Sequence, residues 1–111
     1  MRDAIEGALD QDTVRLMDEQ RAWIAREPGN SKPYYHLGQF CRMTRKADEA
    51  LALFLHAVSL DAEFADAHLA LTEMYVVKAD YTAAWRHARK AHASGDSRGV
   101  ELLARYRITE K

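Results

Sequence analysis

Apolar residues fall along the chain at the three-, four- and seven-residue intervals that line up on one face of a helix. Tyr34, Leu37 and Cys41 have this spacing, and His68, Leu71 and Tyr75 repeat it further along. Two other segments carry small residues instead: Ala50 and Ala57 around Phe54, then Ala84, Ala88 and Ala91. Small side chains on a common face let two helix backbones approach closely. Upstream, Val14, Leu16, Met17, Trp23 and Ile24 are the apolar members of a helix that Asp12 caps and Pro28 ends. Downstream, from Ser97, Val100, Leu103 and Tyr106 are interleaved with Arg98, Arg105 and Arg107, the half-polar pattern of a terminal helix.

The pattern predicts a short helix near 2–9, then helices near 12–26, 31–44, 47–60, 65–78, 81–94 and 98–108. Pro28-Gly29-Asn30 and Ser94-Gly95-Asp96-Ser97 interrupt it as turns do, and Asp80 stands where the cap of the helix from Tyr81 belongs. Only two prolines and five glycines punctuate the chain, and Ala, Leu, Glu, Arg and Lys dominate it. These residues carry the smallest helix penalties, so the expected class is all-α. A length of 111 residues fits one domain, spanning 1–111.

Charge adds local detail. The net charge of −1 excludes a global field that would draw the chain to nucleic acid or to an anionic membrane. Residues 61–80 carry five acids against Lys78, whereas residues 81–111 carry seven Lys or Arg against three acids. Neighbouring helices are therefore expected to attract. The segment 1–9 has Arg2, Asp3 and Glu6 and lacks the apolar core of a signal peptide. No run approaches the roughly 18 apolar residues of a membrane helix. The single cysteine, Cys41, has no partner for an internal disulfide and suits a reducing compartment, so the expected location is the cytoplasm.

Laid against itself at an offset of 34, the chain brings Leu37 onto Leu71, Ala50 onto Ala84 and Ala57 onto Ala91. One copy reads Tyr34-x-x-Leu37-Gly38-x-x-Cys41, then Ala50-x-x-x-Phe54-x-x-Ala57; the other reads His68-x-x-Leu71-Thr72-x-x-Tyr75, then Ala84-x-x-x-Ala88-x-x-Ala91. Both resemble the tetratricopeptide repeat, whose period is 34 and whose pattern runs W-x-x-L-G-x-x-Y, later A-x-x-x-F, then P. Tyr34 and His68 stand in the Trp slot, Cys41 in the Tyr slot, Thr72 in the Gly slot, and Ala62 and Asp96 in the Pro slot. Pro28 does occupy the Pro slot of a partial copy before them.

The resemblance implies an α–α superhelix of antiparallel helix pairs with capping helices at both ends. Its parts would be an N-terminal half-repeat at 12–30, repeats at 31–64 and 65–96, and a C-terminal cap at 97–111. Two complete repeats fall below the three or so that a solenoid usually needs, so flanking helices or a second chain must supply the missing contacts.

Little in the sequence suggests catalysis. His36, His56, His68, His87 and His92 form no i, i+4 pair and have no Cys-x-x-Cys partner, so no metal is expected. His68 is read as filling an aromatic slot, His87 and His92 as decorating a solvated basic face. Cys41 lacks a nucleophile signature and stands in a slot that the family buries, which suits a structural thiol. Glycine-rich phosphate loops and the Gly-x-Ser-x-Gly elbow are missing. Asp48-Glu49 and Asp18-Glu19 are adjacent in sequence and point to different sides of a helix, so they make poor acid–base partners. The cluster Arg86-His87, Arg89-Lys90 could meet phosphate, but Trp85, Ala88 and Ala91 define a buried stripe between these charges and a solvated face is the simpler reading.

Members of the family bind ligands on a concave surface lined by the first helix of each repeat. The resemblance places Lys32, Tyr35, Gln39 and Arg42 there from the first repeat, and Asp66, Leu69, Glu73 and Val76 from the second. Tyr35, Leu69 and Val76 would hold a peptide or helix, with Gln39, Arg42 and Glu73 setting its register. Chaperone-binding members grip a carboxylate with Lys, Asn and Arg in this groove; here those places hold Tyr35, Gln39 and Ala70, so that clamp is missing. The expected function is a protein-interaction adaptor without enzymatic activity, cofactor or metal, with a protein or peptide partner. The alternative is a self-associating structural module, a homodimer whose seam runs along Leu16, Trp23 and Ile24. Nucleic acid and membrane are not the expected partners.

Overall fold

The structure is a computed structural model and describes residues 10–110. Among these residues it is all-helical, with no strand. The helices are α1 (Gln11–Arg26), α2 (Ser31–Met43), α3 (Ala47–Leu60), α4 (Ala65–Val77), α5 (Tyr81–Ala93) and α6 (Arg98–Arg105). The helix expected near 2–9 lies outside the described residues. No helix of the described residues is long and apolar enough to cross a membrane.

Capping chemistry sets the starts. The α1 cap is Asp10, not Asp12: Asp10 has extended backbone (φ −65, ψ 159), and its carboxylate accepts the Thr13 N–H at 2.8 Å. Asp12 is already inside the first helical turn, where it pairs with Arg15 at 3.2 Å. Asn30 accepts from the Lys32 N–H and Asp80 from the Ala83 N–H, so α2 and α5 are capped the same way.

Four helices end alike. Arg45 (φ 65), Ala79 (φ 60), Gly95 (φ 96) and Arg107 (φ 55) each adopt the left-handed conformation just beyond α2, α4, α5 and α6. The next N–H then reaches back to a carbonyl five residues earlier: Lys46 to Cys41, Asp80 to Tyr75, Asp96 to Ala91 and Ile108 to Leu103, at 2.8 to 2.9 Å. This satisfies carbonyls that the helix end would otherwise leave open. It also stops α6 at Arg105, short of the expected 108. The chain then runs back beside α5, where Trp85 Nε1–H donates to the Ile108 carbonyl at 3.0 Å and the Thr82 hydroxyl to that of Glu110 at 2.9 Å. Arg89, on the same face of α5, pairs with the Glu110 carboxylate.

The most extensive helix interfaces join α2 to α3 and α4 to α5. The two pairs start 34 residues apart, Ser31 against Ala65 and Ala47 against Tyr81. Their small residues are the close contacts: Ala50, Ala57, Ala84 and Ala88 are 0% exposed. Met17, Leu37, Cys41, Phe54, Leu71 and Met74 form the main core, and Ala84, Ala88 and Leu103 a second. Gly38 lies against Phe54 so closely that a Cβ there would sit 2.8 Å from the ring, and a Cβ on Gly99 would sit 3.1 Å from that of Ala88. These two glycines bring α2 onto α3 and α6 onto α5. The result is a slab of 43 × 36 × 17 Å, one face of which side chains of α2, α4 and α6 share through the Arg42–Glu73 and Arg98–Asp66 pairs.

Candidate functional site

Helices α2, α4 and α6 meet along that shared face. On α2, Tyr35, Gln39 and Arg42 follow at four- and three-residue steps, with Lys32 one turn before them and exposed. On α4, Asp66, Leu69, Glu73 and Val76 follow at three- and four-residue steps. Arg42 pairs with Glu73 at 3.0 Å, which joins the two rows. Arg98, at the start of α6, reaches Asp66 at 2.6 Å and Asp96 at 2.6 Å, which joins the third helix to them. This pair links the acid-rich segment to the basic one, as the charge distribution suggested. The two carboxylates hold the Arg98 guanidinium charged, and Arg98 holds Asp96 below the usual carboxylate range.

Apart from Lys32, the polar residues of this face are engaged with one another. Gln39 Nε2–H donates to the Tyr35 hydroxyl at 3.1 Å, and the Tyr35 ring packs on Phe64 with centroids 5.0 Å apart. Burial pushes the Tyr35 phenol above its ordinary pKa, and the Asp66 carboxylate adds to the effect. Arg42 and Glu73, half-buried, are tied to each other.

Beyond the Arg42–Glu73 pair the face opens into an apolar pocket of about 400 Å³. Val76 and Val77 of α4, Leu102 of α6, and Tyr106 and Ile108 of the following segment form its walls. A second hollow of about 210 Å³ shares Arg42 and Val77 and adds Ala47, Met74 and Lys78. Val77 is 85% exposed and Tyr106 65%, so apolar surface lies open in one place. Of these apolar walls only Val76 was named as a groove residue from the sequence. Val77 and Leu102 were missed because they lie off the apolar stripes, Ile108 because it lies beyond the end of α6, and Tyr106 because it was assigned to the apolar stripe of the terminal helix. The available signal was that residue type: apolar side chains at positions the helical pattern does not need for the core.

Other expectations meet mixed outcomes. His87 is not on a solvated face but 6% exposed, bonded to His68; His92 is exposed. His87 stands three residues after Ala84 and four before Ala91, so helical spacing puts it on the same buried face as Ala84, Ala88 and Ala91. Cys41 is 2% exposed, and burial raises its thiol pKa. Asp18, Glu19, Asp48 and Glu49 are exposed. Arg89 stacks over Trp85, 5.2 Å from the ring centre, and is paired with Glu110. Leu16, Trp23 and Ile24, the proposed seam, are half-buried; Ile24 packs on the main core and Trp23 stacks on His36. Among the described residues no group of three or more His, Cys, Asp or Glu could hold a metal ion.

No family model matches the chain, and no curated protein matches it.

Proposed function

We propose that the chain is a tetratricopeptide-repeat module of the cytoplasm that holds a peptide or a helix of a partner protein on the face shared by α2, α4 and α6, without catalysis. One observation carries this reading. The Arg42–Glu73 pair borders an open apolar pocket of about 400 Å³, with Val77 and Tyr106 exposed at its edge. Concave apolar surface ringed by fixed polar groups is the general form of a site that seats an apolar anchor and orients the chain bearing it. Two helix pairs beginning 34 residues apart, with alanines at their crossings, support the repeat assignment.

The test is photo-crosslinking in cells, with a photoreactive residue at Val77, at Leu102 and, as a control, at exposed Arg86 on α5. The expected result is one discrete partner adduct from Val77 and Leu102 that Arg86 does not give. Equal adducts from all three positions overturn the reading. Adducts between copies of the chain assign the pocket to self-association instead.

A further inference from the structure

His68 of α4 and His87 of α5 face each other inside the molecule, 1% and 6% exposed, with their Nδ1 atoms 3.0 Å apart. His68 Nε2 lies 2.8 Å from the Ala62 carbonyl. A carbonyl only accepts, so Nε2 of His68 carries the hydrogen. A neutral imidazole has one N–H, which leaves Nδ1 of His68 as a lone pair, and Nδ1 of His87 must donate to it. The pair therefore forms a directed chain, His87 to His68 to Ala62, that ties α5 through α4 to the α3–α4 turn. Against the His87 ring lies Tyr75, parallel to within 2° at 5.6 Å.

We propose that this pair is a proton-operated latch between α4 and α5, closed while both imidazoles are neutral and loosened when the pair takes up a proton. A proton on His68 Nδ1 would set two N–H groups head to head and remove the bond. A proton on His87 Nε2, its remaining lone pair, would keep the bond but leave an imidazolium almost without water. Of the charged side chains acting on the pair, Arg86 and Lys90 oppose a cation and Asp61 favours one on His68. Arg86 and Lys90 on α5 are positive, Tyr75 on α4 is neutral, and Asp61 in the α3–α4 turn is the one acid among the described residues that act on the pair. From α3, the hollow beside the pair receives Leu55, Val58 and Ser59, none of them able to neutralise a cation.

Burial lowers the pKa of both rings, that of His87 to about 4, where His68, Arg86 and Lys90 add their repulsion. A base depressed in the folded state binds more protons when unfolded, so its contribution is complete above pH ~6.5 and is lost as pH falls towards about 4. Asp66, Leu69 and Glu73 lie on the same helix as His68, so loosening α4 disturbs the wall that Arg98 and Arg42 hold. The latch does not depend on what that face binds.

Two measurements test it. In ¹⁵N spectra of the whole chain at pH 7, His68 should show the Nε2–H tautomer and His87 the Nδ1–H tautomer, and His87 should resist protonation above pH 5. Between pH 7.5 and 5.0 the folding equilibrium constant should fall about thirtyfold, if His87 moves from ~6.5 unfolded to about 4 folded. In His87→Gln, whose amide can still donate to His68, most of that fall should vanish. Amide exchange should rise first in α4 and α5 on acidification. A His87 ring that titrates freely between pH 6 and 7 in the folded protein overturns the latch. So does an equal acid sensitivity of wild type and variant, or a uniform loss of protection across all helices.

Discussion

Gly38→Ala sets two effects of opposite sign against each other at one position. Gly38 is inside α2, where alanine is favoured over glycine by about 1 kcal/mol through backbone entropy. The added methyl, however, would lie 2.8, 3.0 and 3.1 Å from three carbons of the Phe54 ring, well inside the ~3.5–4.0 Å of an ordinary carbon contact. A ring at a flexible edge would move aside. Phe54 is 0% exposed and in ring contact with Tyr35 at 5.7 Å, so its displacement spreads into the core. Overpacking of this kind costs about 1–3 kcal/mol, which exceeds the helix gain. The net expectation is a loss of about 1 kcal/mol, or roughly 4 °C in Tm for a chain of this size. Urea and thermal unfolding followed by far-ultraviolet circular dichroism would measure it. In a Phe54→Leu background the clash is relieved, and Gly38→Ala should then stabilise by up to about 1 kcal/mol. A stabilising Gly38→Ala in the wild type, or the same effect in both backgrounds, would refute the close-approach argument. Gly29→Ala is the control, since nothing lies within 4 Å of its Cβ position.

Further expectations follow from single contacts. Ala79 holds φ 60 at the end of α4, so Ala79→Gly should stabilise by about 0.5–1 kcal/mol in thermal unfolding, whereas the β-branched Ala79→Val should destabilise. Trp85→Phe removes the Nε1–H bond to Ile108 and should cost about 1 kcal/mol, with faster amide exchange at 106–110. A double-mutant cycle on Arg42 and Glu73, both about a third exposed, should give a coupling of about 0.2–1 kcal/mol that shrinks in salt. Native Cys41 should react slowly with a thiol reagent, and fast only where urea unfolds the chain.

Helix periodicity was legible because it is a local property. The expected helices at 31–44, 47–60, 65–78 and 81–94 begin where α2 to α5 begin and end within one residue of them. The alanine contacts were legible for the same reason, since residue size and spacing alone decide which face tolerates close approach. Breakers that contain proline or glycine were also visible. The left-handed ends at Arg45, Ala79 and Arg107 were not, because those side chains do not favour that conformation and only the reach of the next N–H to the helix end holds it. That turn after Arg105 stops α6 early, swings Tyr106 and Ile108 into the wall of the pocket, and lays the following residues on Trp85 and Arg89.

Tertiary packing likewise chose the partners of His87. His87 shares the i, i+3, i+4, i+7 face of Ala84, Ala88 and Ala91, so its burial follows from helical spacing, and what packing decided is its partners, Tyr75 and His68 from a separate helix. Sequence determined which faces of the chain are apolar and small, because periodicity and volume act within a few residues. The structure alone decided which of those faces meet and which stay open, because that depends on contacts between residues far apart in the chain, each setting the burial and charge environment of the other.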